Sequence, residues 1–247
     1  MSEVAPYLSV VIPAYNEEKR IAESLSKAKQ YLGVQKYIWE VIVVDDGSQD
    51  GTAAMVEDFS RQHSTIHLIR APHRGKGATV REGMLAARGE YRFMCDADLS
   101  MPIEQIDRFL PPRLTDFDVA IGSREAVDSQ RIDEPQMRHL MGRLYNYWIR
   151  LAAVPAIQDT QCGFKCFRGS VAEELFRLQR LPGWAFDGEI LFLALRRKMR
   201  IVEVAIDWFY REESKINRLG DSYRMFRDVL KIRWNHMLGR YRVESSD

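Results

Sequence analysis

The stretch WEVIVVDDGSQDGT, residues 39–52, contains the pattern from which the fold can be predicted. Its opening run is rich in β-branched and apolar residues and predicts a buried strand at residues 39–44. The polar run that follows, punctuated by glycines, predicts a turn, and the spacing after it predicts a helix to about residue 62. A strand, a polar turn and a helix in this order are typical of a parallel α/β sheet.

The same alternation continues on both sides of this stretch. Further strands of the first half are predicted at residues 8–12, 66–69, 91–95 and 119–121, and helices at residues 17–32 and 77–88. After residue 124 a charged loop at 125–134 is followed by helices at 137–153, 170–177, 188–197 and 222–238, and by strands at 163–167, 201–204 and 205–209. We expect an α/β fold in which helices flank a Rossmann-like, mostly parallel central sheet, in one domain spanning residues 1–247.

Length and composition exclude several classes of protein. With 247 residues, of which 46% are hydrophobic and 29% charged, the chain can bury a large core. No apolar run approaches the ~20 residues that a membrane-spanning helix needs, and no signal-peptide pattern opens the chain. We therefore expect a cytoplasmic protein. The three cysteines, two of which are spaced as CGFKC, are expected to be free thiols.

The net charge of +1 conceals two unlike halves. Residues 1–123 contain 14 Lys and Arg against 18 Asp and Glu, a net charge of −4, whereas residues 124–247 contain 22 against 17, a net charge of +5. An acidic half is suited to a metal ion and a basic half to an anion. The alternative is an accidental asymmetry of solvated surfaces.

Two carboxylates, Asp96 and Asp98, come directly after the strand predicted at residues 91–95. At this spacing they can bind one hard divalent cation and leave coordination positions for phosphate oxygens. The alternative is a turn with helix-capping aspartates before Pro102. Ligands bind at the carboxyl ends of parallel strands, so polar clusters that follow the other strands favour the metal site.

Two such clusters follow the first two strands. Asp45 and Asp46 can accept hydrogen bonds from a nucleobase or a ribose hydroxyl, or can bond to neighbouring backbone amides instead. Tyr15 can pack on a base, and Glu17 can contribute to the site or serve as an acid in the first turn of a helix.

A third cluster, HRGKG at residues 73–77, opens a predicted helix. Its glycines allow backbone amides to approach an anion and Lys76 adds a positive charge, although a solvated basic turn would have the same sequence. The spacing matches neither a Walker loop nor the dinucleotide fingerprint, which argues against ATP and NAD as ligands.

Taken together and in order, these motifs resemble the family 2 inverting glycosyltransferases of the GT-A fold. The resemblance is carried by VVIPAYNEE (10–18), VVDDGSQDGT (43–52), RGKGATVREG (74–83), CDADL (95–99), IGSR (121–124), DTQCGFKCF (159–167), GWAFDGEI (183–190) and REESK (211–215). Within the family, DTQCGFK followed by WAFDGEI is most similar to the dolichyl-phosphate β-glucosyltransferases. PAYNEE and DADL are shared with the dolichyl-phosphate mannose synthases.

The resemblance implies that residues 1–123 form the nucleotide-sugar half. The residues it places there are Pro13, Ala14, Tyr15, Glu17, Asp45, Asp46, Lys76, Asp96, Ala97 and Asp98. Among them it assigns base recognition to Asp46, with Asp45 beside it, and contact with the base or the phosphates to Lys76. Asp96 and Asp98 are implied to hold Mg²⁺ or Mn²⁺ on the donor diphosphate.

The resemblance likewise makes residues 124–247 the acceptor half. Arg124, Arg138 and Arg211 match positions that hold phosphate, and Lys215 lies just beyond. Asp187 stands where the family has a catalytic carboxylate, with positioning or weak base work as its expected role. The implied catalytic residues are Asp98, Asp187, Arg124 and Arg211.

The implied reaction is the inverting transfer of a hexose, glucose from UDP-glucose, to a dolichyl or polyprenyl phosphate. The alternatives are mannosyl transfer from GDP-mannose, transfer to a soluble acceptor, and an inactive sugar-nucleotide-binding protein; no nucleic-acid partner is expected.

Relatives of this type carry an N-terminal membrane helix, whereas here the first strand begins within a few residues of the start. We therefore expect peripheral contact with the cytoplasmic membrane face, through residues 140–154 and the basic C-terminal helix. For residues 140–154 an ordinary core-facing helix is the alternative.

Overall fold

The computed structural model describes residues 4–211 and 220–242; the side chains of residues 136–141, 145, 152 and 220–225 lie outside that description. The strands are β1 (Leu8–Ala14), β2 (Trp39–Asp45), β3 (Ile66–Arg70), β4 (Tyr91–Cys95), β5 (Val119–Ser123), β6 (Gln130–Ile132), β7 (Phe164–Arg168), β8 (Ile201–Ala205) and β9 (Asp207–Phe209). The helices are α1 (Ile21–Leu32), α2 (Thr52–Gln62), α3 (Lys76–Ala86), α4 (Gln136–Ala152), α5 (Gly169–Leu178), α6 (Phe186–Arg196) and α7 (Gly220–Met237), and a short 3₁₀ helix covers Ile103–Arg108.

The central sheet has the strand order β3-β2-β1-β4-β7-β5-β8. All its neighbouring strands run parallel except β7, which is antiparallel to β4 on one side and to β5 on the other. The predicted mostly parallel α/β sheet is therefore confirmed. A separate parallel pair, β6 with β9, forms a second small sheet.

Both faces of the central sheet are buried, which explains the nearly continuous apolar runs of its strands. Along β1 and β2 the side chains alternate between two cores: Val10 and Val41 belong to one, and Val11 and Ile42 to the other. The first core is covered by α1, α2 and the 3₁₀ helix, and the second by α3, α5 and α6, with α4 and α7 outside them.

Two predicted elements differ from the structure. The loop expected at residues 125–134 contains β6, a three-residue strand whose pairing with β9 supplies the order that its own sequence does not predict. The first helix begins at Ile21 rather than at residue 17. The reason is that the backbone amides of Glu17 and Glu18 are bonded to Thr52 Oγ1 and Asp50 Oδ2 in the neighbouring turn.

Within the described ranges, 4–211 and 220–242, no helix combines the length and the apolar character needed to cross a bilayer.

Candidate active site

The candidate site lies where the sheet changes its direction of growth. From β1 the chain adds β2 and then β3 on one side, and then crosses over to place β4 on the other side of β1. At such a switch point the loops after neighbouring parallel strands diverge and leave a crevice at their carboxyl ends. The segments that follow β1, β2 and β4 all begin at this edge, and they contain the sequence-predicted residues Tyr15, Asp45, Asp46, Asp96 and Asp98.

Asp96 and Lys76 meet in this crevice. Lys76, the first residue of α3, places its Nζ 2.5 Å from Asp96 Oδ1 and 5.2 Å from the centre of the Trp184 ring. Burial lowers the pKa of Lys76, but Asp96 and Asp187 oppose this and leave the pKa above its ordinary value. Lys76 is therefore a partly buried ammonium group that is paired with Asp96 and lies in the field of further carboxylates.

Asp98 is the second carboxylate of this loop. Its Oδ1 accepts a hydrogen bond of 2.8 Å from the backbone amide of Ser100. Burial and the neighbouring Asp96 raise the pKa of Asp98. A divalent cation would relieve both effects, because it compensates two partly buried carboxylates that repel each other.

The donor set fits Mg²⁺ or Mn²⁺ only in part. Asp96 and Asp98 offer the hard oxygen ligands that these ions prefer. However, the part of the chain that the structure describes contains no group of three or more His, Cys, Asp or Glu side chains able to hold a metal. The two aspartates thus suit an ion whose remaining ligands come from a diphosphate and water.

Gly163, on the segment that leads into β7, gives the Asp96 carboxylate its space. A Cβ atom at this position would lie 1.9 Å from Asp96 Oδ2 and 2.4 Å from its Cγ. No other residue type can be accommodated there without moving Asp96. The position of one candidate ligand is therefore set by a glycine about 70 residues later in the chain.

The two aspartates that end β2 have different roles. Asp46 accepts hydrogen bonds from the backbone amides of Arg74 (2.8 Å) and Gly75 (3.0 Å), and His73 Nδ1 lies 2.9 Å from Oδ2. Asp45 accepts a hydrogen bond from the Ser48 amide at Oδ2, whereas its Oδ1 is buried and has no hydrogen-bond partner in the described part of the chain. A buried carboxylate oxygen without a partner is costly unless a ligand supplies a donor.

Asp46 was assigned to the nucleobase by resemblance, but its oxygens are already bonded to the turn before α3, and Asp45 is the residue with an unused oxygen. Tyr15 stacks on His73, with ring centroids 4.3 Å apart and planes 20° apart, at the edge of the same crevice.

The turn before α3 is fixed on a second side by the segment that leads into α6. Gly75 has a φ of +104°, a conformation that side chains disfavour, and the Ala78 amide donates to Pro182 O. A Cβ at Gly77 would lie 2.7 Å from Leu181 O. This close approach brings Lys76 and Asp187 to the same crevice.

Asp187 lies in the first turn of α6 and is buried. Its Oδ1 is 2.6 Å from the Nζ of Lys165, a residue of β7 that is itself buried. Burial raises the pKa of Asp187, and the ammonium groups of Lys165 and Lys76 oppose that effect. The cluster alternates in sign, from Lys165 through Asp187 and Lys76 to Asp96.

Arg124 is bound to a carboxylate rather than free for a ligand. Its Nε and Nη2 lie 2.7 and 2.9 Å from the two oxygens of Asp159, and its guanidinium is 5.5 Å from the Trp208 ring centre. Burial alone would raise the pKa of Asp159, but Arg124 lowers it to about 2. One edge of the guanidinium is thus occupied, which reduces what Arg124 can offer to a phosphate.

The other predicted residues are distributed as follows. Pro13 and Ala14 end β1, Glu17 follows in the turn before α1, and Ala97 lies between the two aspartates of the β4 loop. Arg211 is exposed just after β9, and Arg138 belongs to α4, where its side chain lies outside the described part. Lys215 falls outside the described residues altogether.

Sequence reasoning missed the partners of the charged residues. No role was assigned to Lys165, Asp159, Gly163 or Trp184, although all four stand in the motifs DTQCGFKCF and GWAFDGEI. A buried lysine in a strand and a glycine between two apolar residues were the available signals. The three cysteines are all buried and unbonded.

Known protein families and curated proteins are similar to this chain in sequence. The family model for Glycosyl transferase family 2 matches residues 9–176. The dolichyl-phosphate beta-glucosyltransferase of Dictyostelium discoideum is 34% identical over 253 residues, which cover 97% of this chain and 77% of that protein. The proteins of the same name from Drosophila melanogaster and Homo sapiens are 36% and 33% identical, over 96% and 97% of this chain and 78% of each relative.

Solved structures share the fold at lower identity. Glucosyl-3-phosphoglycerate synthase from Mycobacterium tuberculosis with UDP has a TM-score of 0.65 and 20% identity, covering 98% of this chain and 82% of that chain. Other crystals of that synthase contain Mn²⁺ or Mg²⁺. A Pyrobaculum calidifontis mannosyltransferase with GDP-Man and Mn²⁺ has a TM-score of 0.54 and 19% identity, covering 91% and 61%.

Proposed function

The chain belongs to glycosyl transferase family 2, and on that premise we propose that it is an inverting hexosyltransferase that moves glucose from UDP-glucose to dolichyl phosphate or another polyprenyl phosphate. The relatives named for this activity match nearly the whole chain. The observation that carries the proposal is the crevice at the β1/β4 switch point, where Asp45, Lys76, Asp96, Asp98 and Asp187 converge.

Each part of the donor has a complementary group in this crevice. The Oδ1 of Asp45, which no described residue bonds, can accept a hydrogen bond from the uracil ring N–H or from ribose, close to the stacked Tyr15 ring. Lys76 can turn from Asp96 to the donor diphosphate, which carries two negative charges. Asp96 and Asp98 would hold Mg²⁺ or Mn²⁺ together with that diphosphate, and the bound cation supplies Lewis-acid stabilisation of the leaving charge.

The transfer is a single displacement at the anomeric carbon. An oxygen of the acceptor phosphate forms the new bond, the anomeric carbon–oxygen bond to UDP breaks, and the electron pair leaves with UDP. A phosphate monoester is already mostly dianionic at neutral pH, since its second pKa is about 6, so no base has to remove a proton. We assign Arg211, Arg138, Lys215 and the edge of Arg124 that does not face Asp159 to the acceptor phosphate, on the basis of their charge and their family positions.

The direct test is lipid-linked product formation. Purified protein with Mn²⁺, radiolabelled UDP-glucose and dolichyl phosphate should yield a chloroform-soluble product with the mass of dolichyl-phosphate glucose, and Asp98→Asn should abolish it. A higher kcat/KM with GDP-mannose would show that the proposed donor is wrong. Transfer to 3-phosphoglycerate in place of the lipid would show that the proposed acceptor is wrong. Absence of UDP release under all these conditions would refute the enzymatic proposal.

We also propose that the protein meets the membrane through an apolar stripe on α4 and α7. These two helices pack together, with the Trp148 and Phe226 rings 5.5 Å apart. Seven large apolar side chains on or next to them are 50% to 70% exposed: Leu144, Tyr147, Leu151, Leu230, Trp234, Met237 and Leu238. On α7 their spacing is that of one helix face.

The charges beside this apolar stripe favour a bilayer that contains anionic lipids as its partner. Arg143, Arg227, Lys231 and Arg233 are exposed on the same two helices, and each basic residue near an anionic surface contributes about 1 kcal/mol. An apolar face with tryptophan and flanking basic residues is typical of interfacial helices. The core-facing alternative for residues 140–154 accounts for Ile149, which is fully buried, but not for the exposed Leu144, Tyr147 and Leu151.

A further inference from the structure

The second lysine of the buried cluster, Lys165, has no role in the chemistry described so far. It is the second residue of β7, in register with Met94 of β4 and Ile121 of β5, and it is 1% exposed. Its Nζ donates to Cys162 O at 2.5 Å and to Asp187 Oδ1 at 2.6 Å. This charged group inside the sheet therefore donates hydrogen bonds to one loop carbonyl and one carboxylate.

Stability does not explain this pair. The desolvation of two charges is costly, and replacing a buried ion pair by a well-packed apolar pair of similar volume often leaves the stability of the fold unchanged or raises it. A buried ion pair is therefore weak evidence for a stabilising role. Two apolar residues at positions 165 and 187 would suit a strand and a helix that are otherwise surrounded by hydrophobic side chains. The pair is better explained by what the carboxylate does at the crevice.

Asp187 is held by one oxygen only. Lys165 is its single hydrogen-bond partner among the residues that the structure describes, and Asp187 is 4% exposed. Asp187 directly follows Phe186, whose Cβ would lie 2.8 Å from a Cβ at Gly77, the residue after Lys76, so this turn of α6 borders the place assigned to the donor diphosphate. The hexose is attached to that diphosphate, so its hydroxyl groups lie within the same crevice.

We propose that Lys165 is a positioning residue that fixes Asp187 through Oδ1, so that the second oxygen accepts a hydrogen bond from a hydroxyl group of the donor hexose. This inference rests on the proposed function for the identity of the hexose donor. It gives Asp187 a binding role that needs no proton transfer.

The test is a double-mutant cycle with Lys165→Met and Asp187→Asn, in which Lys165→Arg is the conservative variant. The loss of one positioned hydrogen bond to substrate should lower kcat/KM for UDP-glucose by about 10- to 100-fold in each single variant. The double variant should be no worse than Asp187→Asn alone, since both changes remove the same interaction. Lys165→Arg should recover most of the activity.

Calorimetric titration separates this role from a structural one. The affinity for UDP, which has no hexose, should stay within about threefold of the wild type in all variants, while the affinity for UDP-glucose falls by about tenfold or more. Equal losses for UDP and UDP-glucose, wild-type kcat/KM in Lys165→Met, or multiplicative effects in the double variant would each overturn the inference.

The outcomes also distinguish this inference from the proposed function. If the wild type transfers no glucose, the proposed function fails, and the comparison of UDP with UDP-glucose still tests the positioning role. Should Lys165→Met fail to fold, the double variant and Lys165→Arg provide the comparison, because neither leaves a buried charge without a counter-charge.

Discussion

Replacing Gly163 with alanine should disable the candidate active site although no charged residue is replaced. The new Cβ would lie 1.9 Å from Asp96 Oδ2, 2.4 Å from Cγ and 2.8 Å from Oδ1. The carboxylate oxygen would have to move by roughly 1.5 Å, the difference between 1.9 Å and an ordinary contact distance of about 3.4 Å. Such a movement breaks the 2.5 Å contact between Asp96 and Lys76.

The expected loss of activity in Gly163→Ala follows from the steep dependence of catalysis on geometry. A misplacement of about 1 Å can lower activity about 100-fold, so kcat/KM for UDP-glucose should fall by at least about 100-fold in Gly163→Ala. The added methyl group should also destabilise the fold by about 1–3 kcal/mol, as overpacking does. The binding of UDP in the presence of Mn²⁺ should weaken, and the binding of UDP without metal should change less.

Gly183→Ala is the matched control, because a Cβ at Gly183 meets no atom within 4 Å. Both variants add one methyl group to a segment that borders the crevice. Initial rates of UDP release, titration calorimetry with and without Mn²⁺, and thermal unfolding should be measured on the wild type and both variants. If Gly163→Ala retains Mn²⁺-dependent UDP binding and wild-type kcat/KM, the steric reasoning and the assignment of Asp96 as a ligand are wrong.

Three further predictions concern charge and the membrane. Asp159→Asn should lower the free energy of unfolding at neutral pH by about 3–5 kcal/mol, because it leaves Arg124 buried without its partner. The pKa of Asp159 is lowered to about 2 in the folded state against about 3.9 in an unfolded chain, so its contribution is complete above pH 4 and is lost as the pH falls toward 2. Urea unfolding at several pH values should therefore show a smaller acid loss in the variant than in the wild type. Lys76→Met should weaken UDP binding by about 10- to 100-fold, as measured by calorimetry, and unchanged affinity would show that Lys76 does not reach the diphosphate. Trp234→Glu should reduce sedimentation with phosphatidylserine vesicles. Val34→Glu, at a 77% exposed position in the turn after α1 and outside the apolar stripe, should not, and equal effects of the two changes would refute the membrane surface.

The strands of the first half and the polar edge that they create could be predicted from the sequence. The runs at β1, β2 and β4 are local signals, and the rule that ligands bind at the carboxyl ends of parallel strands brings their loops together. Asp96, Asp98 and Lys76 were therefore grouped correctly at one edge before any contact was known. Local pattern and topology were sufficient because each residue directly follows a strand or begins a helix.

The direction of β7 and the partner of Arg124 could not be predicted in this way. Apolar periodicity gives the position of a strand, but not whether it runs parallel or antiparallel to neighbours that are distant in the chain. Arg124 and Asp159 are 35 residues apart, and only the assembled fold makes the bidentate contact. The sequence shows the charge of Arg124 but not its counter-charge, so the fold adds Asp159 as a partner, and the role of Arg124 toward the acceptor phosphate stays a prediction.

The antiparallel β7 has a consequence for the synthesis of the chain. β4 and β5, both complete by Ser123, do not pair with each other but are joined only through β7, which ends at Arg168. A nascent chain that has emerged from the ribosome only as far as Ser123 therefore has unpaired edges on two strands of its future sheet interior. Such edges are templates for mispairing with other chains. The first half cannot complete its own sheet: the segment that carries Gly163 and Lys165 joins β4 to β5, and the far edge of β5 stays unpaired until β8 (Ile201–Ala205) is synthesised.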